Sequence, residues 1–279
     1  MTPTVGSLIR SFLEKVGRSS DGRPNDGQGN RPPAAKGRVT GPPTSSNGAS
    51  SFHLFWELAP VPLIEVAATI EVVEPPTVDK LYFWALQANF QFGNSARGGA
   101  HFGLQHHPAY TWAGAVNWGG YRHGGGELDG STSELPSALD NVNTRNYQWQ
   151  PHRRYRYRIY RSPRRGWRGS ITDLETGEQT VVRDLLIEAD TMINPMVWTE
   201  AFADCDDSPA AVRWSDFQAL STAGEPLTPV AVRVNYQSHP DGGCANTNIE
   251  LDGSSIIQRT STERTTRTGT RLPLPPPES

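Results

Sequence analysis

Glu127 and Asp129 stand two positions apart, directly after Gly124-Gly125-Gly126. In an extended chain such positions share a side, which is how two carboxylates can serve as acid and base at one glycosidic bond. Glu200 lies two positions from both Trp198 and Phe202, so a carboxylate shares a strand face with aromatic rings. An acid in that setting is either ion-paired, with Arg213 as an available cation, or exposed at a ligand groove. These three acids are the acid/base candidates of a polysaccharide hydrolase or lyase, although the sequence names no reaction.

Uncharged polar residues make a second constellation. Gln87, Asn89, His101, Gln105 and His107 alternate with apolar neighbours, and Trp112, Asn117, Trp118 and Tyr121 follow in a glycine-rich stretch. Amides bond hydroxyl groups in both directions, and flat rings stack on the C–H faces of pyranoses. Together these nine residues predict a glycan-binding face of the lectin kind, with Trp112 and Trp118 as stacking platforms. Carbohydrate, or another small polar ligand, is therefore the expected partner.

Metal chemistry has a thinner basis. A zinc site would need His101 and His107 plus a carboxylate supplied by folding. Asp204, Asp206 and Asp207, or the Asp129 loop, offer hard oxygens for calcium, but no spacing matches a metal-loop signature. No resident metal or cofactor is expected. Neither a nucleophile elbow nor a phosphate-binding glycine loop is present.

Cys205 and Cys244 are the two cysteines. They are too few for a disulfide scaffold and wrongly spaced for a zinc ribbon, leaving either one long-loop bridge or two buried thiols.

Charge is distributed unevenly. Residues 1–50 carry +4, residues 51–258 carry −9 and residues 259–279 carry +2. Inside the acidic middle, Arg145 to Arg168 holds nine arginines and no acid. Arg154, Arg156 and Arg158 alternate with Tyr155, Tyr157 and Ile159. Such a strand can turn its rings inward and its cations toward the protein's own acids, an anionic glycan, nucleic acid or an acidic protein partner. The −9 of the middle segment weighs against nucleic acid as the main partner.

The elements that must position these residues read as strands. Tyr82, Trp84, Leu86, Ala88 and Phe90 alternate with polar residues, and no 3.6-residue period is sustained across the middle of the chain. Further β-rich blocks fall at 62–73, 181–188, 196–203, 210–218 and 228–237. Thr176-Gly177 and Asp252-Gly253 read as hairpin turns. The predicted fold is all-β: an antiparallel two-sheet β-sandwich of the jelly-roll, concanavalin A-like type, spanning residues 52–258. Residues 1–51 are expected to hold a short amphipathic helix, from Val5 to Val16, and a disordered Gly/Pro/Ser-rich tether. Residues 259–279 are expected to be a disordered Thr/Arg/Pro-rich tail. No apolar run reaches the roughly 18 residues of a membrane helix. The first residues lack the apolar core of a secretory signal, which makes the cytoplasm the default compartment.

At Gly103-Leu104-Gln105, Asn117-Trp118-Gly119-Gly120 and Arg213-Trp214-Ser215-Asp216 the chain resembles a group of bacterial domains of unknown function, over roughly residues 55–250. The resemblance implies a jelly roll similar to concanavalin A-like lectins and glucanases and carries no activity with it. Glu127-Leu128-Asp129 also resembles the start of the catalytic strand of jelly-roll glucanases. Their pattern continues with another Glu, where this chain has Gly130, Ser131 and Thr132.

Overall fold

A computed structural model of the chain describes residues 39–275. Alternation does in the structure what it does in the sequence: successive side chains leave a strand on opposite sides, and apolar positions at every second residue collect into one buried face. Seventeen strands form among the described residues. They are β1 (Ser50–Glu57), β2 (Leu63–Glu74), β3 (Tyr82–Phe92), β4 (Ser95–His106), β5 (Gly114–Arg122), β6 (Ser137–Ala138), β7 (Asn141–Asn146), β8 (Arg154–Arg161) and β9 (Trp167–Asp173). After these come β10 (Gln179–Leu185), β11 (Thr191–Ala201), β12 (Ala211–Ser221), β13 (Pro226–Leu227), β14 (Ala231–Tyr236), β15 (Asn248–Asp252), β16 (Ser255–Arg259) and β17 (Arg271–Pro273). The described helix is confined to two short 3-10 turns, Thr111–Ala113 and His239–Asp241.

All the pairings are antiparallel and fall into two runs. One is β7–β5–β4–β3–β11–β1–β14–β17, with β6 paired to β7. The other is β15–β16–β12–β2–β8–β9–β10, with β13 paired to β12. Met192 opposite Leu63 joins them. Their inner faces meet in a shared core: the Phe102 and Tyr157 rings pack edge to face at 5.3 Å, and the Leu104 amide donates to the Tyr157 hydroxyl at 2.7 Å. Trp84, Trp118, Trp167 and Trp214 fill the same core.

Both predicted hairpins are present. Thr176-Gly177 joins β9 to β10 and Asp252-Gly253 joins β15 to β16, with φ values of 75° at Gly177 and 61° at Gly253. The expected tails behave differently where they are described. Residues 39–49 pack against the 204–206 and 242 loops through Cys205 N–H to Gly41 O, Gly41 N–H to Asp206 and Thr44 N–H to Gly242 O. Residues 271–273 add β17 to β14, because backbone pairing there needs no apolar side-chain pattern. The expected N-terminal helix lies outside the described residues.

Cys205 and Cys244 are bridged, with Cα atoms 5.3 Å apart. Of the alternatives the sequence left open, the disulfide is the one adopted. It ties together the two loops on which residues 39–49 rest.

Candidate functional site

Paired residues of an antiparallel sheet point the same way, so the register defines what shares a face. Ser51, Glu200, Phe83, Gln105 and Ala115 form one cross-strand row on the outer face of the first run. The next row is His53, Trp198, Ala85, Gly103 and Asn117, and a third is Phe55, Met196, Gln87, His101 and Gly119. Asn89, Gly99 and Tyr121 continue it. Gln87, Asn89, His101, Gln105, Asn117, Tyr121 and Glu200 therefore share one surface.

Most of that surface is buried. The Trp198 ring lies 4.9 Å from Phe83, 6.2 Å from His53 and 6.1 Å from His101, and its indole N–H donates to Gln87 Oε1 at 2.9 Å. Desolvation pushes the imidazoles down, His53 to about 4 and His101 to about 3, so both are neutral near pH 7. Glu200 is 1% exposed, and burial pushes its carboxyl up to about 7; a hydrogen bond from Asn47 Nδ2 to Oε1 at 2.9 Å partly opposes that rise. Among the described residues, no hydrogen-bond partner reaches Glu200 Oε2, Gln105 Nε2, His101 Nδ1 or Asn117 Oδ1.

Beside this buried patch the same face opens into a groove of about 1240 Å³. Its floor holds His53, Phe55, Gln87, Asn89 and Tyr121. The β14 side is walled by Thr44–Ser46 and the loop after Tyr236, and the β5 side by the turn at Arg122–Gly125.

Several expected members stand elsewhere. Trp118 points into the core rather than the groove, because it alternates with Asn117. Trp112 is 63% exposed at the tip of a turn with φ 58°, away from the groove lining. His107 lies beyond the end of β4, where its Nδ1 accepts from the Ala109 amide at 3.1 Å. Asp129 pairs with Arg122 at 2.5 Å, and Glu127 forms a backbone bridge with Tyr121; neither joins the row of Glu200. Arg213, the expected partner of Glu200, instead pairs with Glu71 at 2.6 Å and Asp252 at 2.9 Å.

The arginine strand faces the protein's own acids and amides. Arg154 pairs with Asp216 at 2.8 Å and Arg158 with Glu65 at 2.8 Å, while Arg156 donates to the Asp216 carbonyl and to Gln218. No cluster of three or more metal-ligating side chains occurs among the described residues. The aspartates considered for calcium serve as loop staples: Asp206 accepts from the Gly41 amide and Asp207 from the Asp204 amide.

His53, Phe55 and Asn47 are not among the residues the sequence singles out. In β1 Phe52, Leu54 and Trp56 do alternate with Ser51, His53, Phe55 and Glu57, so the period was there to read, whereas Asn47 precedes any strand.

No protein-family model and no curated protein matches the chain. Among solved structures it is similar to scytalido-glutamic peptidase with a peptide-based transition state analog, at TM-score 0.42 and 12% identity over 75% of this chain and 97% of that one. It is equally similar to SCP-B, a member of the eqolisin family of peptidases in complex with the tripeptide Ala-Ile-His: TM-score 0.42, 12% identity, 75% and 97% coverage. A likeness of that size leaves the reading of the site to its own side chains.

Proposed function

We propose that the chain is a two-sheet β-sandwich whose outer-face groove binds an extended polar polymer, a glycan first. One observation carries this reading: His53, Gln87, Asn89, Phe55 and Tyr121 converge on the floor of a single groove. Amide groups there offer donors and acceptors, the rings offer stacking surface, and His53 stays neutral, which suits a hydroxyl-rich ligand better than an ion. The test is a glycan array probed with wild type, Asn89→Ala and Phe55→Ala. Affinity should fall about tenfold in each variant, or about 1.4 kcal/mol, while melting is little changed. A blank array at high protein concentration overturns the reading.

A second reading is favoured by Glu200. A carboxyl that keeps its proton near pH 7, on the same face as the groove, can serve as a general acid in hydrolysis. Incubation with polysaccharides and with denatured protein, read as new reducing ends or new amines, tests it. Turnover lost in Glu200→Gln and kept in Glu127→Gln and Asp129→Asn supports Glu200; turnover unchanged in Glu200→Gln removes it. The Cys205–Cys244 bridge favours an oxidising compartment over the cytoplasm expected from the first residues.

A further inference from the structure

Arg183 is 5% exposed, and no carboxylate lies within ion-pairing distance of it among the described residues. A register shift between Val181 and Arg183 interrupts the β9–β10 ladder, as a bulge does when it re-aims a side chain. Val182 and Arg183 are consequently both buried, although they are adjacent. The guanidinium crosses to the other run of strands, where Nε and Nη2 donate to the Trp118 carbonyl at 3.2 and 3.1 Å, and Nη2 also donates to Asn143 Oδ1. Nη1 makes no hydrogen bond among the described residues. It lies so close to Gly130 that a Cβ there would come within 2.5 Å of it.

Beside it stands a second cation. Arg145 is opposite Val116 in the β5–β7 register, so it projects from the inward side of that sheet, away from the groove. Its Nη2 donates to the Val142 carbonyl, and its Nε is buried without a hydrogen-bond partner among the described residues. Burial lowers the pKa of both groups, Arg183 to about 10. The positive charge of Arg145 lowers Arg183 further, and the one acid acting the other way is Glu127.

The buried Arg183 guanidinium thus reaches β7 at Asn143, two positions before the half-buried Arg145, with a single carboxylate nearby and outside contact distance. Elsewhere among the described residues nine other arginines form ion pairs, seven of them in the segment 51–258 of net charge −9. A desolvated cation is expensive without a counter-charge, and unspent planar N–H donors match carboxylate and sulfate oxygens.

We propose that Arg145 and Arg183 form an oxyanion site at the edge between β5, β7 and β10, taking a sulfate or carboxylate group on Arg183 Nη1 and Arg145 Nε. The site is independent of the groove reading and lies on the other side of the sheet.

The test is thermal melting against low-millimolar sodium sulfate and, separately, against a galacturonate oligomer, each at ionic strength matched with sodium chloride. Below about 5 mM the general salting effect of sulfate is small, so a saturable rise in Tm reports a site. The expected result is such a rise in wild type and in Arg154→Gln, with half-saturation shifted at least tenfold in Arg145→Gln. Arg145 is the residue to change, since Arg183 is part of the packing. Saturation by sulfate alone identifies a free-ion site; saturation by the oligomer at lower concentration identifies an acidic polymer. No saturable response to either, or an identical response in Arg145→Gln, overturns the proposal.

Discussion

Asn47 Nδ2 donates to Glu200 Oε1 at 2.9 Å, linking two buried side chains 153 residues apart. This bond fastens the segment before β1 over the outer face. Asn47 is itself held in place, because its Oδ1 accepts from the Ser45 hydroxyl at 2.8 Å and the Ala49 amide at 3.2 Å. Asn47→Ala strips the last hydrogen bond from a buried carboxyl that already has one unpartnered oxygen. The expected cost is about 1–3 kcal/mol in urea unfolding, with the Glu200 pKa moving further up. Unchanged stability together with an unchanged carboxyl titration would show that the bond holds nothing.

Stability against pH should be bell-shaped. Glu200 keeps its proton in the folded protein up to about 7, against an ordinary value of 4.5. Between those values the folded state holds a proton that the unfolded state has lost, so stability falls as pH rises. His53 and His101 act oppositely. Their folded values of about 4 and 3 lie below the ordinary 6.5, and stability is lost as pH falls beneath 6.5. Two histidines outweigh one acid between 4.5 and 6.5, which puts the maximum of these three contributions near pH 6.5. In Glu200→Gln the decline between pH 6.5 and 7 should disappear while the acid limb stays. Chemical denaturation at half-unit pH steps measures both limbs.

The arginine strand and the outer face show what alternation can and cannot reveal. Tyr155, Tyr157 and Ile159 face inward with arginines outward, as their spacing predicts, because period-2 pattern and strand geometry are the same fact. Gln87, Asn89, His101 and Gln105 share a face for the same reason. Trp118 and Asn117 are adjacent and leave β5 on opposite sides, so the apolar one takes the core while Asn117 is buried on the outer face, outside the groove lining. Asn47 and the 236–242 loop were invisible because long-range loop packing leaves no periodic trace. The partners of Glu200 and Arg213 were likewise open, since an ion pair across strands depends on strand order. Trp118→Ala is accordingly expected to cost about 3–5 kcal/mol of stability, read by melting, rather than to remove ligand binding from a folded protein.

Reducing the Cys205–Cys244 bridge should destabilise the fold by about 4 kcal/mol on the loop-entropy account, given a sequence separation of 39. The loss should appear first around residues 41–49, which hang on the flanking loops through Cys205 N–H to Gly41 O and Thr44 N–H to Gly242 O. Hydrogen exchange with and without reductant checks this. Faster exchange at Ala49 and Ser51 before any change in the β8–β9 ladder is the expected order, and simultaneous loss everywhere would contradict it.

Gly103 sits where the polar patch has no side chain of its own. Gln105 and His101 are its same-side neighbours along β4, with Ala85 and Asn117 across the strands. Three of those four carry the unpartnered buried atoms Gln105 Nε2, His101 Nδ1 and Asn117 Oδ1. A Cβ at Gly103 would lie 1.8 Å from the Trp84 carbonyl oxygen, so backbone and not a flexible side chain would have to move. Gly103→Ala should therefore cost about 3 kcal/mol or more, because displacing β3 from β4 disturbs the packing of Trp84 and Leu104 on the other face. Gly177 provides the contrast. It has φ 75° with nothing within 4 Å of a built Cβ, so Gly177→Ala meets only the left-handed backbone penalty of about 1–2 kcal/mol. Guanidinium melts of the two variants should separate them by at least 1 kcal/mol. Equal costs would mean that strands β3 and β4 yield easily at Gly103, and that the close approach there does not position the polar face.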